Sequence, residues 1–145
     1  MSTATSAGSR KVLSTALIVA GLAGAVAVGV ANGARKSIQF DLRVIGQSIY
    51  EAHEATGRWP ARVADLEGTA YLKMPYRRDF LEQGIYVVVW HQDLSADRAA
   101  NRHRILAYDG TSRFARLGWI WACRGDLSID RITNRDVSAL KAPGR

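Results

Sequence analysis

Between Val12 and Ala31 the chain carries no charge, VLSTALIVAGLAGAVAVGVA. As a helix rising 1.5 Å per residue, a run of roughly 20 residues reaches about 30 Å, the thickness of a bilayer's hydrocarbon core. This feature sets the expected layout: a flexible leader over 1–11, a transmembrane anchor over 12–34 and one domain over 35–145. The last segment, about 110 residues, suffices for one hydrophobic core and not for two.

Arg10 and Lys11 precede the run, an order shared by anchors and secretory signals. Length favours the anchor, since signal h-regions span only about 7–15 residues. Gly29-Val30-Ala31 and Ala31-Asn32-Gly33 offer small residues where a signal peptidase could cut, so secretion after cleavage is the alternative. A buried soluble helix is a third reading. Arg35 and Lys36 after the run nearly balance Arg10 and Lys11, which leaves the positive-inside count close to a tie. We favour the N-terminus inside and the domain outside, which makes this a single-pass membrane protein. Within the run, Gly21, Ala25, Gly29 and Gly33 recur every fourth residue and form a smooth ridge. Such a ridge lets a second helix approach, from another protein or another copy. Composition rich in Gly and Ala produces the same spacing without any partner.

From Ser37 to Thr56 the pattern is that of an amphipathic helix. Ile38, Leu42, Ile45, Ile49 and Ala52 share one face, and Gln39, Arg43, Gln47 and Glu51 lie elsewhere. Gly57 and Pro60 mark its end. Pro60 lies at or near the start of a short helical piece of one or two turns, with Val63 and Leu66 turned inward, closed by Gly68. Residues 69–83 read as irregular, blocked by Pro75 and pinned by Tyr71, Leu72, Tyr76, Phe80 and Leu81. Four strands follow, over Ile85–His91, Arg104–Tyr108, Leu117–Cys123 and Leu127–Ile132. Turns are expected at Asp109-Gly110 and Arg124-Gly125-Asp126. Asn134 is placed to cap a last helix over Arg135–Leu140. A helix followed by an antiparallel meander gives an α+β domain, with the Ser37–Thr56 helix packed on one side of the sheet.

The stretch Leu42–Leu66, LRVIGQSIYEAHEATGRWPARVADL, runs from a helix through a Gly-aromatic-Pro turn to a short helix ending in Asp-Leu. Together with the preceding apolar run and the ending ILAYDGTSRFARLGWIWACRGDLSIDRIT, it resembles the type IV pilins and type II secretion pseudopilins. That resemblance covers most of the chain. It implies a pilin-like fold, a bacterial inner-membrane anchor with the domain facing the periplasm or cell exterior, and a structural or protein-interaction role. The chain departs from the family where a prepilin is processed. Gly8 is followed by Ser9, Arg10 and Lys11, and the early run has no Glu. The resemblance therefore implies a pilin-like domain on a plain anchor.

No residue pattern adds chemistry. The net charge is +7, with sixteen arginines among the twenty basic residues, but they are scattered. Only Arg98, Arg102 and Arg104 group together, and no basic face with interleaved aromatics appears, so no nucleic-acid partner is expected. His53, His91 and His103 fall in different elements and lack the four converging ligands of a zinc site. Asp93 and Asp97 share a loop with Arg98 and Arg102, which oppose calcium, and Asp126 and Asp130 flank a strand, so no metal or other cofactor is expected. Glu51 and Glu54 are solvated helix residues. Cys123, the one cysteine, excludes an internal disulfide and reads as a small buried hydrophobe, with Arg116 and Arg124 the cations that could activate it. The Arg124-Gly125-Asp126 string reads as a turn and not as an adhesion motif. Trp59, Trp90, Trp119 and Trp121 read first as core. The chain is expected to be non-enzymatic, without a small-molecule substrate. The alternative is a small periplasmic ligand-binding or sensory accessory domain using an aromatic face.

Overall fold

The computed structural model describes residues 7–91, 93–111 and 118–141, with the side chains of those from 29 to 140. The chain divides into two compact units, Met1–Lys36 and Ser37–Arg145. The first helix, α1 (Ala7–Thr56), contributes to both. In the first unit, Gly29, Val30, Ala31, Asn32 and Gly33 are exposed. A Cβ at Gly29 or Gly33 would meet open space. Gly21 and Ala25 of the expected ridge lie outside the residues whose side chains are described, as does Arg116. Among the described residues no helix is long and apolar enough to cross a membrane. The side chains of residues 12–28 lie outside the described ones, and the expected anchor rests on sequence.

The second unit is α+β. The residues of α1 expected to share a face, Ile38, Leu42, Ile45, Ile49 and Ala52, are all buried. The helix stops where predicted. Gly57 adopts φ 71°, a left-handed conformation that costs glycine little, and its N–H donates to the His53 carbonyl at 2.7 Å.

The sheet is an antiparallel meander, β1 (Tyr86–Val88), β2 (Ile105–Asp109), β3 (Trp119–Arg124) and β4 (Ile129–Thr133), paired in chain order. One face carries Tyr86, Ala107, Trp121 and Cys123 in a cluster with the buried face of α1. The pairing register shifts between Ile105 and Ala107, which breaks the period-2 alternation. Leu106 and Ala107 therefore both join the cluster under α1. The opposite face carries Tyr108, Ile120, Ala122 and Ile132, covered by Val137 of α3 (Asn134–Lys141). Both faces of the sheet are thus covered.

α1 lies close to the sheet at Gly46. A Cβ there would stand 2.6 Å from Cys123 Sγ and 3.0 Å from Leu127 Cδ2. Glycine within a helix forfeits about 1 kcal/mol relative to alanine. Here it sets how near the helix can come.

Four local expectations are corrected. β1 is three residues long, not seven. Val89 N–H still reaches the Leu106 carbonyl, but His91 meets β2 through its ring, with Nε2–H donating to the Ile105 carbonyl at 2.9 Å. The 69–83 segment is not wholly irregular. Pro75 prevents an earlier start, and α2 (Arg77–Glu82) begins two residues later. Tyr76 before it has φ 63° and is 73% exposed, so it does not pin the segment. The short helical piece spans Val63–Leu66, three residues past Pro60.

The fourth correction concerns α3, whose cap is Thr133 rather than Asn134. Thr133 N–H donates to Asp136 Oδ2 at 2.8 Å, and Asp136 N–H returns to Thr133 Oγ1 at 3.3 Å, a reciprocal cap. The Thr133 N–H and hydroxyl hold the Asp136 carboxyl below the usual carboxylate range. A depressed pKa stabilises above the unfolded value and is lost as pH falls through the folded one. Chemical shifts of residues 134–140, followed from neutral pH to about pH 2, should show α3 fraying as Asp136 protonates. Helical shifts that persist to the acid end would contradict this role.

Candidate functional site

Three groups of polar and aromatic side chains are built around α1. The first is a polar stripe that fastens the 69–83 segment to the helix. Asp41, Ser48 and Glu51 sit seven and three residues apart, beside the apolar face. Asp41 is 2% exposed, and its Oδ2 accepts from Arg77 Nη1 at 2.7 Å and from the Tyr86 hydroxyl at 2.8 Å. Ser48 Oγ accepts from Tyr71 N–H at 3.0 Å, and Glu51 Oε2 from Ala70 N–H at 2.9 Å. The Arg77 guanidinium lies over the rings of Tyr71 and Phe80, 5.6 and 5.3 Å from their centroids. Burial, reinforced by the Asp41 charge, pushes both the Tyr71 and Tyr86 phenols up, so neither ionises near neutrality. Asp41 Oδ1 and Tyr71 Oη are buried without a hydrogen-bond partner among the described residues.

The second group joins α1 to the far end of the sheet. The Tyr50 hydroxyl donates to the Gly125 carbonyl at 2.7 Å and accepts from Asn101 Nδ2 at 2.7 Å. Asn101 Nδ2 also reaches the Ser95 carbonyl, and Asn101 Oδ1 accepts from Ser95 N–H. A Cβ on Gly125 would run into the backbone of Asn101. The expected Arg124-Gly125-Asp126 turn is present, with Asp126 Oδ1 accepting from Ser128 N–H at 3.0 Å. Its glycine is buried and its carbonyl is used, which is a structural role.

The third group lies at the end of α1. Trp59 stacks on His53 at 3.8 Å with rings nearly parallel and meets Tyr50 edge-on at 5.4 Å. Trp59 borders an open groove of about 630 Å³ formed by the last turn of α1 and the Arg58–Asp65 loop. Arg62 Nε pairs with Asp65 Oδ1 at 3.2 Å on the rim, and Asp65 Oδ2 accepts from Ala61 N–H at 2.9 Å.

The remaining residues singled out in the sequence do not converge. His91 bonds within the sheet, and His103 accepts from Arg102 Nε. Asp93 pairs with Arg104 at 2.5 Å, Asp97 accepts from Ala99 N–H, and Asp130 pairs with Arg124 at 3.3 Å. No group of three metal-ligating side chains occurs among the described residues. Cys123 is fully buried, and burial pushes its thiol up to about 12, so it is protonated at neutral pH. Trp121 is buried and Trp119 half-buried, and the Arg131 guanidinium lies over both, 4.4 Å from the Trp119 centroid. Asp41, Ser48 and Asn101 went unnoticed in the sequence. The one available signal was polar residues bordering the apolar face at a spacing of seven.

Compared with known proteins, the chain matches no family model, no curated protein and no solved structure.

Proposed function

We propose that this chain is a membrane-anchored, pilin-like structural or interaction component that works through contacts rather than catalysis. The carrying observation is that one helix, α1, contains both the charge-free run and the amphipathic face seated on an antiparallel meander. The Gly57-Arg58-Trp59-Pro60 turn and the short helix ending at Asp65-Leu66 add to the pilin-like reading. In this reading the domain faces the periplasm or the cell exterior. The Gly21, Ala25, Gly29 and Gly33 ridge would be offered to a second transmembrane helix.

Carbonate extraction of native membranes tests the anchor. The full-length chain should stay in the pellet, because burying about 20 apolar residues outweighs the solubility of the domain. Release of the full-length chain would defeat the anchor. Release of a form lacking about the first 30 residues would favour a cleaved signal instead.

A second reading is a periplasmic ligand-binding or sensory accessory domain with an aromatic face. The groove beside Trp59 favours it more than the Trp119 and Trp121 pair, over which Arg131 lies.

A further inference from the structure

We infer that the groove at the C-terminal end of α1 binds an acidic saccharide. The inference does not depend on membrane anchoring, since every residue it uses belongs to the sheet-bearing unit. At about 630 Å³ the groove falls within the range of about 300–1,000 Å³ usual for ligand sites. Its aromatic wall is held from behind. Trp59 is stacked on His53 and braced by Tyr50, and Tyr50 is itself tied to Gly125 and Asn101. An indole fixed in this way loses little freedom on binding. One face of the indole is covered by His53, and the opposite face would attract the polarised C–H groups of a pyranose ring.

The polar groups around the indole narrow the ligand class. Arg58 is exposed and has no ion-pair partner among the described residues. A planar guanidinium matches a carboxylate. Arg62 and Asp65 hold one another on the rim, and Asp65 presents acceptors only. The last carbonyls of α1, near Thr56 and Gly57, are acceptors as well. These acceptors suit hydroxyl donors. The negative end of the helix dipole and the Asp65 charge oppose a phosphate dianion about twice as strongly as a single carboxylate, which Arg58 can offset. A lipid tail would leave the polar walls unpaired. What fits is a ligand with many hydroxyls, one stacking face and a carboxylate for Arg58.

The test is a titration of the full chain in detergent micelles, labelled with 5-fluorotryptophan and read by fluorine NMR. The four tryptophans give separate signals, and Trp59→Phe identifies that of Trp59. Trigalacturonate at millimolar concentration should shift the Trp59 signal and leave that of buried Trp121 in place. Cellotriose should bind about tenfold more weakly, for want of the charge-assisted bond. Arg58→Gln should lower trigalacturonate affinity about tenfold without moving the melting temperature. An unmoved Trp59 signal would overturn the inference. So would an equal response to inorganic phosphate, which would mark a plain anion site, or undiminished binding by Arg58→Gln.

Discussion

Ile45→Asp should abolish folding of the sheet-bearing unit. Ile45 is fully buried on the α1 face that meets the sheet. Losing a side chain of this size from a core costs about 2–5 kcal/mol on its own. An unpaired carboxylate in the same place adds several kcal/mol more. The sum rivals the whole stability of a domain, roughly 5–15 kcal/mol. Circular dichroism of the full chain in micelles should show the strand signal and the cooperative melt disappearing. Gln47→Lys, exposed on the same helix and still able to pair with Glu51, should change stability by no more than about 0.5 kcal/mol. An unshifted melt for Ile45→Asp would mean that α1 does not pack on the sheet.

Asp41→Ala should be the next most damaging change. It leaves the Arg77 guanidinium and the Tyr86 hydroxyl without their shared acceptor. Removing one member of a buried ion pair typically costs about 3–5 kcal/mol. The Arg77 side chain is 20% exposed, and water can reach part of it, so about 2–3 kcal/mol is expected. Asp41→Asn keeps an acceptor oxygen and should cost less. The double variant Asp41→Ala with Arg77→Met removes the stranded charge and should recover part of the loss in urea unfolding. Two losses that simply add, within about 0.5 kcal/mol, would show that the pair is not coupled.

The parts of this fold that were legible in the sequence are those governed by local periodicity. The spacing of Ile38, Leu42, Ile45, Ile49 and Ala52 identifies the buried face of α1 without any knowledge of what covers it. The left-handed stop at Gly57 is likewise local. What stayed hidden depends on partners far along the chain. Asp41 resembles any helix-surface carboxylate until Arg77, 36 residues away, is placed against it. Ser48 resembles a solvated serine until Tyr71 N–H reaches it across 23 residues. Tyr71 and Tyr76 are the same residue type five positions apart, yet one is fully buried and the other 73% exposed. Only the path of the 69–83 segment over α1 separates them. The apolar run Ile85–His91 promises a longer strand than β1, because pairing length depends on the partner strand as much as on propensity. The groove was invisible for a similar reason. Arg58, Trp59 and Pro60 read as helix-stop residues, and nothing in their order reveals that His53 and Tyr50 back the indole.

The contact between Gly46 and Cys123 constrains the order in which this sequence could change. The two positions share one volume, and the thiol fills what a methyl group at 46 would need. Alanine at 46 is worth about 1 kcal/mol to the helix taken alone, but overfilling a packed core costs about 1–3 kcal/mol. The net sign turns against alanine while cysteine stands at 123. Shrinking residue 123 first reverses that sign. Related chains that carry a side chain at 46 should therefore have passed through a smaller residue at 123, and the opposite sequence of steps crosses a less stable intermediate.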